Sequence, residues 1–262
     1  MRNSAQLRET DGPPNRLYRY RVASETMLRP ILEENVLYFA SPKRFNDPHD
    51  CRVPAVFFES VDDIRVYYDR LLRENCPTMQ THERYDRIEQ LIRDRGWEKV
   101  AAQIQKEIDN AGMLCLTENC DNARMWDGHA ENGRGVCLEF LAWDDAGLTF
   151  FGLHSFNVTY SDSREYNLLG DPWEQAKTIV LTKSLEWSYE NEWRIVLRNR
   201  LGQCTVGNIL FPPEFLTRLI FGKNVDEVTK VAVKKWIRAG RCRPALYQVQ
   251  SIGSVSSMTQ ID

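Results

Sequence analysis

The sequence predicts an α+β fold built on a mixed or antiparallel sheet. Short runs that alternate with period two recur along the chain: LYRYR (17–21), MLCLT (113–117), GVCLEF (135–140) and EWRIVL (192–197). Helical patterns fall between them irregularly, not as a regular strand–helix repeat. One long stretch, 59–112, changes to apolar residues at helical spacing. The chain has 262 residues, 42% of them hydrophobic, enough for one large or two modest cores.

Taken in order, residues 1–15 are polar, contain Gly12-Pro13-Pro14, and read as a flexible N-terminal arm. Residues 16–262 read as a single α+β domain. After the first strand, SETMLRPILEEN (24–35) spaces Met27, Leu28, Ile31 and Leu32 as a helical stripe, with Ser24 as N-cap and Pro30 as a distortion. VLYFA (36–40) is a strand, and SPKRFNDPHDC (41–51) a loop in which Asn46 and Asp47 hold the backbone through Asx bonds. Ile64, Tyr67 and Leu71, then Ile88, Leu91 and Ile92, then Val100, Ile104 and Ile108 mark three helices of an insert at 59–112. DNARMWDGHA (121–130) is a short helix capped by Asp121, SFNVTY (155–160) a strand, and DPWEQAKTIVLTKS (171–184) a helix. RLIFG (218–222), a helix over 225–240 and ALYQVQSI (245–252) close the order.

The net charge of −3 gives no global footprint for nucleic acid, although a local basic patch is allowed. No apolar run approaches the ~18 residues of a membrane span, and the N-terminus lacks a signal-peptide core. Seven scattered cysteines read as reduced thiols, so a cytoplasmic location is expected, without a membrane partner.

Cys115, Cys120, His129 and Cys137 lie close in sequence but lack the paired spacing of a zinc site, and buried thiols explain them more simply. Glu118, Asp121, Asp127, Glu131 and Glu139 could hold Mg²⁺ for a nuclease; a charged loop and helix give the same count. There is no Gly-x-Ser-x-Gly elbow and no Gly-rich phosphate loop; Gly133 and Gly135 make a turn before a strand. Near strand ends gather Tyr18, Arg19, Tyr20 and Arg21, then Tyr38, Ser41, Phe45, Asn46 and Asp47, with Trp126, Trp187 and Glu192. Aromatic rings and arginines suit a flat base and phosphates; ordinary amphipathic strands are the plainer explanation. In a strand Glu192 and Arg194 share one face, and Trp193, Ile195 and Leu197 the other, so Glu192 also reads as an ion-pair partner of Arg194 or Lys183.

Three segments, LYRYR…LYFASPKRFNDPHDC, CLTENCDNARMWDGHAENGRGVCLEF and LTKSLEWSYENEWRIV, resemble bacterial domain-of-unknown-function family 2971 over roughly residues 16–200. His129 stands where that family's pattern has Tyr. The order of these motifs in turn resembles the ADP-ribosyltransferase superfamily. That resemblance implies a split, mainly antiparallel sheet with a helical insertion, and NAD as co-substrate without a metal. It implies catalytic roles for Glu192 and Arg19, facing each other across one cleft, with Arg21 as the register alternative. It also implies NAD contacts from Tyr18, Tyr20, Arg21, Tyr38, Ser41, Phe45, Asn46, Asp47, Asn122, Trp126, Lys183, Trp187 and Arg194. The expected activity is that of an ADP-ribosyltransferase or NAD glycohydrolase, as a bacterial toxin or anti-phage effector, with an acceptor that is protein, nucleic acid or water and a possible inhibitory or activating protein partner. A non-catalytic nucleotide-sensing module and a Mg²⁺-dependent nuclease are the alternatives.

Overall fold

The computed structural model describes residues 14–53, 60–142, 155–163, 177–196, 206–251 and 257–261. It is a mixed α+β structure with a large, mainly antiparallel sheet. The chain forms two compact units: residues 1–40, 112–158 and 186–262 make the first, and residues 41–111 and 159–185 the second. The expected N-terminal arm lies almost wholly outside the described residues.

The first unit holds β1 (Arg16–Arg21), α1 (Glu25–Glu34), β2 (Val36–Phe39), β3 (Met113–Thr117), α5 (Ala123–His129) and β4 (Val136–Leu141). It continues with β5 (Ser155–Asn157), β8 (Glu192–Val196), β9 (Gly207–Leu210), β10 (Leu216–Phe221), α6 (Glu227–Ala239), β11 (Ala245–Ser251) and β12 (Ser257–Ile261). Among the described residues eight strands form one sheet in the order β12-β11-β10-β4-β1-β3-β8-β5. Each neighbouring pair is antiparallel except β10 and β11, which run parallel and are joined by α6. β2 pairs with β9 in a separate ribbon, and Ala40 bridges to Met113 at the start of β3.

The pleat explains the core. Leu17 on β1, Leu114 and Leu116 on β3, Leu138 and Phe140 on β4, Trp193 and Ile195 on β8, and Leu219 and Phe221 on β10 share one face. They pack with Leu28, Ile31 and Leu32 of α1 and Val233 and Ile237 of α6. The other face carries Tyr20, Cys137, Ile220 and Val249, covered by Met125 and Trp126 of α5 and by Ala130 just after it. Glycine is required where the turn before β4 meets its neighbours: a Cβ on Gly135 would lie 2.2 Å from the Arg21 carbonyl oxygen, and one on Gly222 2.3 Å from that of Gly133.

The second unit contains α2 (Val61–Asn75), α3 (Thr81–Arg93) and α4 (Gly96–Asp109), the three helices read from the spacing. Ile64, Tyr67, Tyr68 and Ile88 form their shared core, and Ser60 and Asp63 make a capping box on α2. β6 (Thr159–Tyr160) and β7 (Thr182–Lys183) pair in parallel.

Several expectations are corrected. SFNVTY is not one strand: it breaks at Val158 into β5 and β6. The helix expected over 171–184 is helical at 177–180, but Thr182 and Lys183 are extended, because their backbone pairs with Thr159 and Tyr160; 171–176 lie outside the described residues. The cap of α5 is Asn122, not Asp121; its side chain accepts from the Met125 amide. Ser24 occupies the N-cap position of α1 without a side-chain cap bond. The strands β9 and β12 carry weak alternation and are additions the pattern did not announce.

Candidate functional site

The sheet register sets which predicted residues meet. On β1, Arg19 pairs with Leu138 and Arg21 with Val136, so both arginines belong to the apolar face. Tyr18 pairs with Glu139 and Thr117, and Thr117 pairs with Glu192. Glu192 therefore shares the α5 face with Tyr18 and Tyr20, and the register does not bring Arg19 or Arg21 to it. The reason is the two-residue period: a carboxylate aligned with Tyr18 is turned away from residues 19 and 21.

The result is a row of polar side chains across five adjacent strands: Arg218 on β10, Glu139 on β4, Tyr18 on β1, Thr117 on β3 and Glu192 on β8. Glu139, Thr117 and Glu192 are buried. A sheet face that needed only stability would be apolar here, since burying a charge is costly unless it is paired. Each charge in the row has a partner. Arg194, fully buried two residues beyond Glu192 and on the same face, grips both carboxylate oxygens, Nε to Oε1 at 2.8 Å and Nη2 to Oε2 at 3.0 Å. At the other end Glu139 accepts from Arg16 and, at 2.7 Å, from the Thr217 hydroxyl, and its Oε2 lies 3.4 Å from Arg218 Nη1. Burial, with neighbouring Cys120 and Glu139, pushes the Tyr18 phenol well above its ordinary value.

Beside this row the residues 185–190 form a 3₁₀ turn that presents Trp187 and Tyr189, ring centroids 6.1 Å apart. The turn is tied to α5. Asn122 Nδ2 donates to the Tyr189 carbonyl at 2.6 Å, Arg124 stacks 3.6 Å over the Tyr189 ring, and His129 Nε2 lies 3.3 Å from Glu190 Oε1. Trp126 is a structural post. It is fully buried, its Nε1 donates to the Cys120 carbonyl, and it meets Tyr20 edge-on at 5.0 Å. Tyr20 is equally committed, donating its hydroxyl to the Asn119 carbonyl.

Arg19 is 8% exposed, and its buried Nη1 has no hydrogen-bond partner among the described residues. Arg21 is half-buried, and desolvation lowers its pKa. Tyr38 is 38% exposed on β2, opposite Asn208 of β9.

The other predicted residues belong to the second unit. Ser41 caps a turn at Pro42–Arg44 and donates to the Asp109 carbonyl at 2.5 Å. Asp47 is buried and accepts from the His49 amide at 2.8 Å, the expected Asx bond. Asn46 is exposed and makes no side-chain bond among the described residues, so the backbone-holding role expected for it falls to Asp47 alone. Phe45 is half-buried. The Lys183 ammonium is buried 3.9 Å from Asp50 Oδ2.

Among the described residues no group of three or more His, Cys, Asp or Glu side chains is placed to hold a metal ion. The acidic residues of the nuclease alternative are dispersed: Glu118 accepts from Trp193 Nε1 at 2.6 Å, Glu131 lies 3.8 Å from Arg134, and Glu139 lies under Arg16 and Arg218. No described helix is long and apolar enough to cross a membrane.

Residues 125–195 match the family model described as a protein of unknown function, DUF2971. The matched segment runs from the middle of α5 to the last but one residue of β8 and includes Trp126, Trp187, Glu192 and Arg194. The LYRYR and FNDP segments fall outside it. No curated protein and no solved structure matches the chain.

Proposed function

We propose that the protein is an NAD-consuming enzyme of ADP-ribosyltransferase type, a transferase or an NAD glycohydrolase, with Glu192 as its catalytic carboxylate. One observation carries the reading: Glu192 is 3% exposed, at the first position of a strand, with Arg194 holding both carboxyl oxygens and Trp187 and Tyr189 just before it. As nicotinamide leaves, the ribose carbon gains positive charge, and a carboxylate already fixed in place stabilises it without reorganisation. The same carboxylate can accept a hydrogen bond from the ribose 2′-hydroxyl. This chemistry needs no metal. The chain order of β1, β2 and β8, with β1 and β8 in one mainly antiparallel sheet and β2 in a separate ribbon, is compatible with the reading. Arg19 has no part at this carboxylate; Tyr18 and Thr117 are the groups on its own face. A toxin or antiviral role rests on the family resemblance.

A second reading, a nucleotide-sensing module without turnover, is favoured by the same ion pair, since Arg194 engages both Glu192 oxygens. Nicotinamide release from NAD separates the two, measured with and without EDTA on wild type, Glu192→Gln and Glu192→Asp, with rates normalised to folded protein. The enzyme reading expects EDTA-resistant release, unimpaired NAD binding by Glu192→Gln and a loss of about 10²–10³ in its rate. Wild-type turnover by folded Glu192→Gln would refute the assignment.

A further inference from the structure

The Glu192 end of the polar row is where the proposed chemistry sits. The opposite end has no part in it, and it is organised for another purpose. Glu139 is completely buried beneath two arginines from non-adjacent strands, Arg16 on β1 and Arg218 on β10, whose side chains are 41% and 40% exposed. Both guanidinium groups converge on this one carboxylate, which leaves one uncompensated positive charge directed outward. Arg218 is further fixed by the Tyr247 ring, 5.0 Å from its guanidinium carbon. Thr217 stands at a register shift in β10, and its hydroxyl bonds Glu139.

Thr217 also lines an open cavity of about 490 Å³, together with Pro213, Glu214, Leu216, Arg241 and Arg243. Arg243 is anchored, its Nη1 donating to the carbonyls of Ile237 in the last turn of α6 and of Gly240 and Cys242 after it. Arg241 is exposed and has no ion pair or hydrogen bond among the described residues. Arg241 and Arg243 outnumber Glu214 in the cavity as Arg16 and Arg218 outnumber Glu139 beside it. Four cations against two carboxylates in a chain of net charge −3 is a local reversal of sign. Guanidinium forks held by a buried carboxylate and an adjoining ring suit phosphate oxygens.

We infer that this end of β10 is a second binding site, for the phosphate groups of a nucleotide, free or at the end of a strand. Glu139 acts as a positioning residue that orients Arg16 and Arg218. Arg218 and Glu192 stand four strands apart, which is ~19 Å at about 4.8 Å per spacing, so this site is separate from the carboxylate assigned to NAD. The inference stands whether or not Glu192 cleaves NAD.

The test is binding of ATP and of a fluorescent dT12 strand to wild type, Arg218→Gln and Arg241→Gln at low and high salt, with excess NAD as competitor. Arg241→Gln removes a side chain with no partner among the described residues and guards against a folding artefact. The expected result is salt-sensitive binding of at least one probe, weakened about tenfold or more by each substitution and not displaced by NAD. The probe held more tightly identifies the source of the phosphate. Absence of binding by both probes, affinity unchanged in both variants, or displacement by NAD overturns the site.

Discussion

The two faces of the eight-stranded sheet are built from the same strands and obey opposite rules. One face is a continuous apolar layer under α1 and α6, with Arg19 as its buried cation. The other is apolar only where α5 covers it, and one step along the strands it becomes the row Arg218, Glu139, Tyr18, Thr117 and Glu192. The first face lowers free energy by removing hydrocarbon from water. The second places charges where desolvation opposes them and must satisfy each with a partner. Stability alone explains the apolar part of the first face, to which Arg19 is the exception. The second is the one on which we place function.

Substitutions should separate the faces. The largest effect is expected from Arg194→Ala, which removes the guanidinium that holds both oxygens of the buried Glu192 carboxyl; loss of about 3–5 kcal/mol is expected in denaturant titrations. Leu138→Ala on the apolar face should lose about 2–5 kcal/mol and leave NAD affinity unaltered in the folded fraction. If Leu138→Ala altered ligand affinity and Arg194→Ala did not, the division of labour between faces would be reversed.

The thiols give a smaller, pH-dependent effect on both faces. Burial raises Cys137 well above its ordinary 9.0 and Cys242 to about 11. The folded protein keeps these thiols neutral while the unfolded chain ionises them. Their contribution is therefore complete below pH 9 and declines as pH rises above it, for Cys242 until about pH 11, by at most roughly 1.4 kcal/mol per pH unit for each thiol. Melting temperature should fall over this range, and Cys242→Ala should flatten the slope. An unaltered slope would show that the thiol is not neutral and buried.

The smallest effect concerns the link between α5 and the aromatic turn. Asn122→Ala removes a cap and the bond to Tyr189, and a loss of about 1 kcal/mol is expected. A change in Tyr189 or Trp187 fluorescence should accompany it. Loss of stability without that change would mean that Asn122 acts only as a helix cap.

Much of this was legible in the sequence. The alternation in EWRIV placed Trp193 and Ile195 in the core and put Glu192 with Arg194, and the spacing of Ile64, Ile88 and Ile104 marked three helices. What alternation cannot give is which strands become neighbours. The motif pattern points to Arg19, with Arg21 as the alternative, across from Glu192; the register of β1 with β3 and β4 turns both away and puts Tyr18 on that face. The Glu139 cluster was hidden for the same reason: its arginines lie 202 positions apart in the chain, at 16 and 218, and only the strand order brings them together. Thr182 and Lys183 escaped because a two-residue strand has no period to detect.

The central claim is that the α5 face, with Glu192, is the one that receives NAD. A crystal structure of the Glu192→Gln protein soaked with NAD tests it most directly. The claim requires the nicotinamide ribose within hydrogen-bond reach of residue 192, on the side of Tyr18 and Thr117. Nicotinamide bound instead on the opposite face, against Arg19, would contradict it.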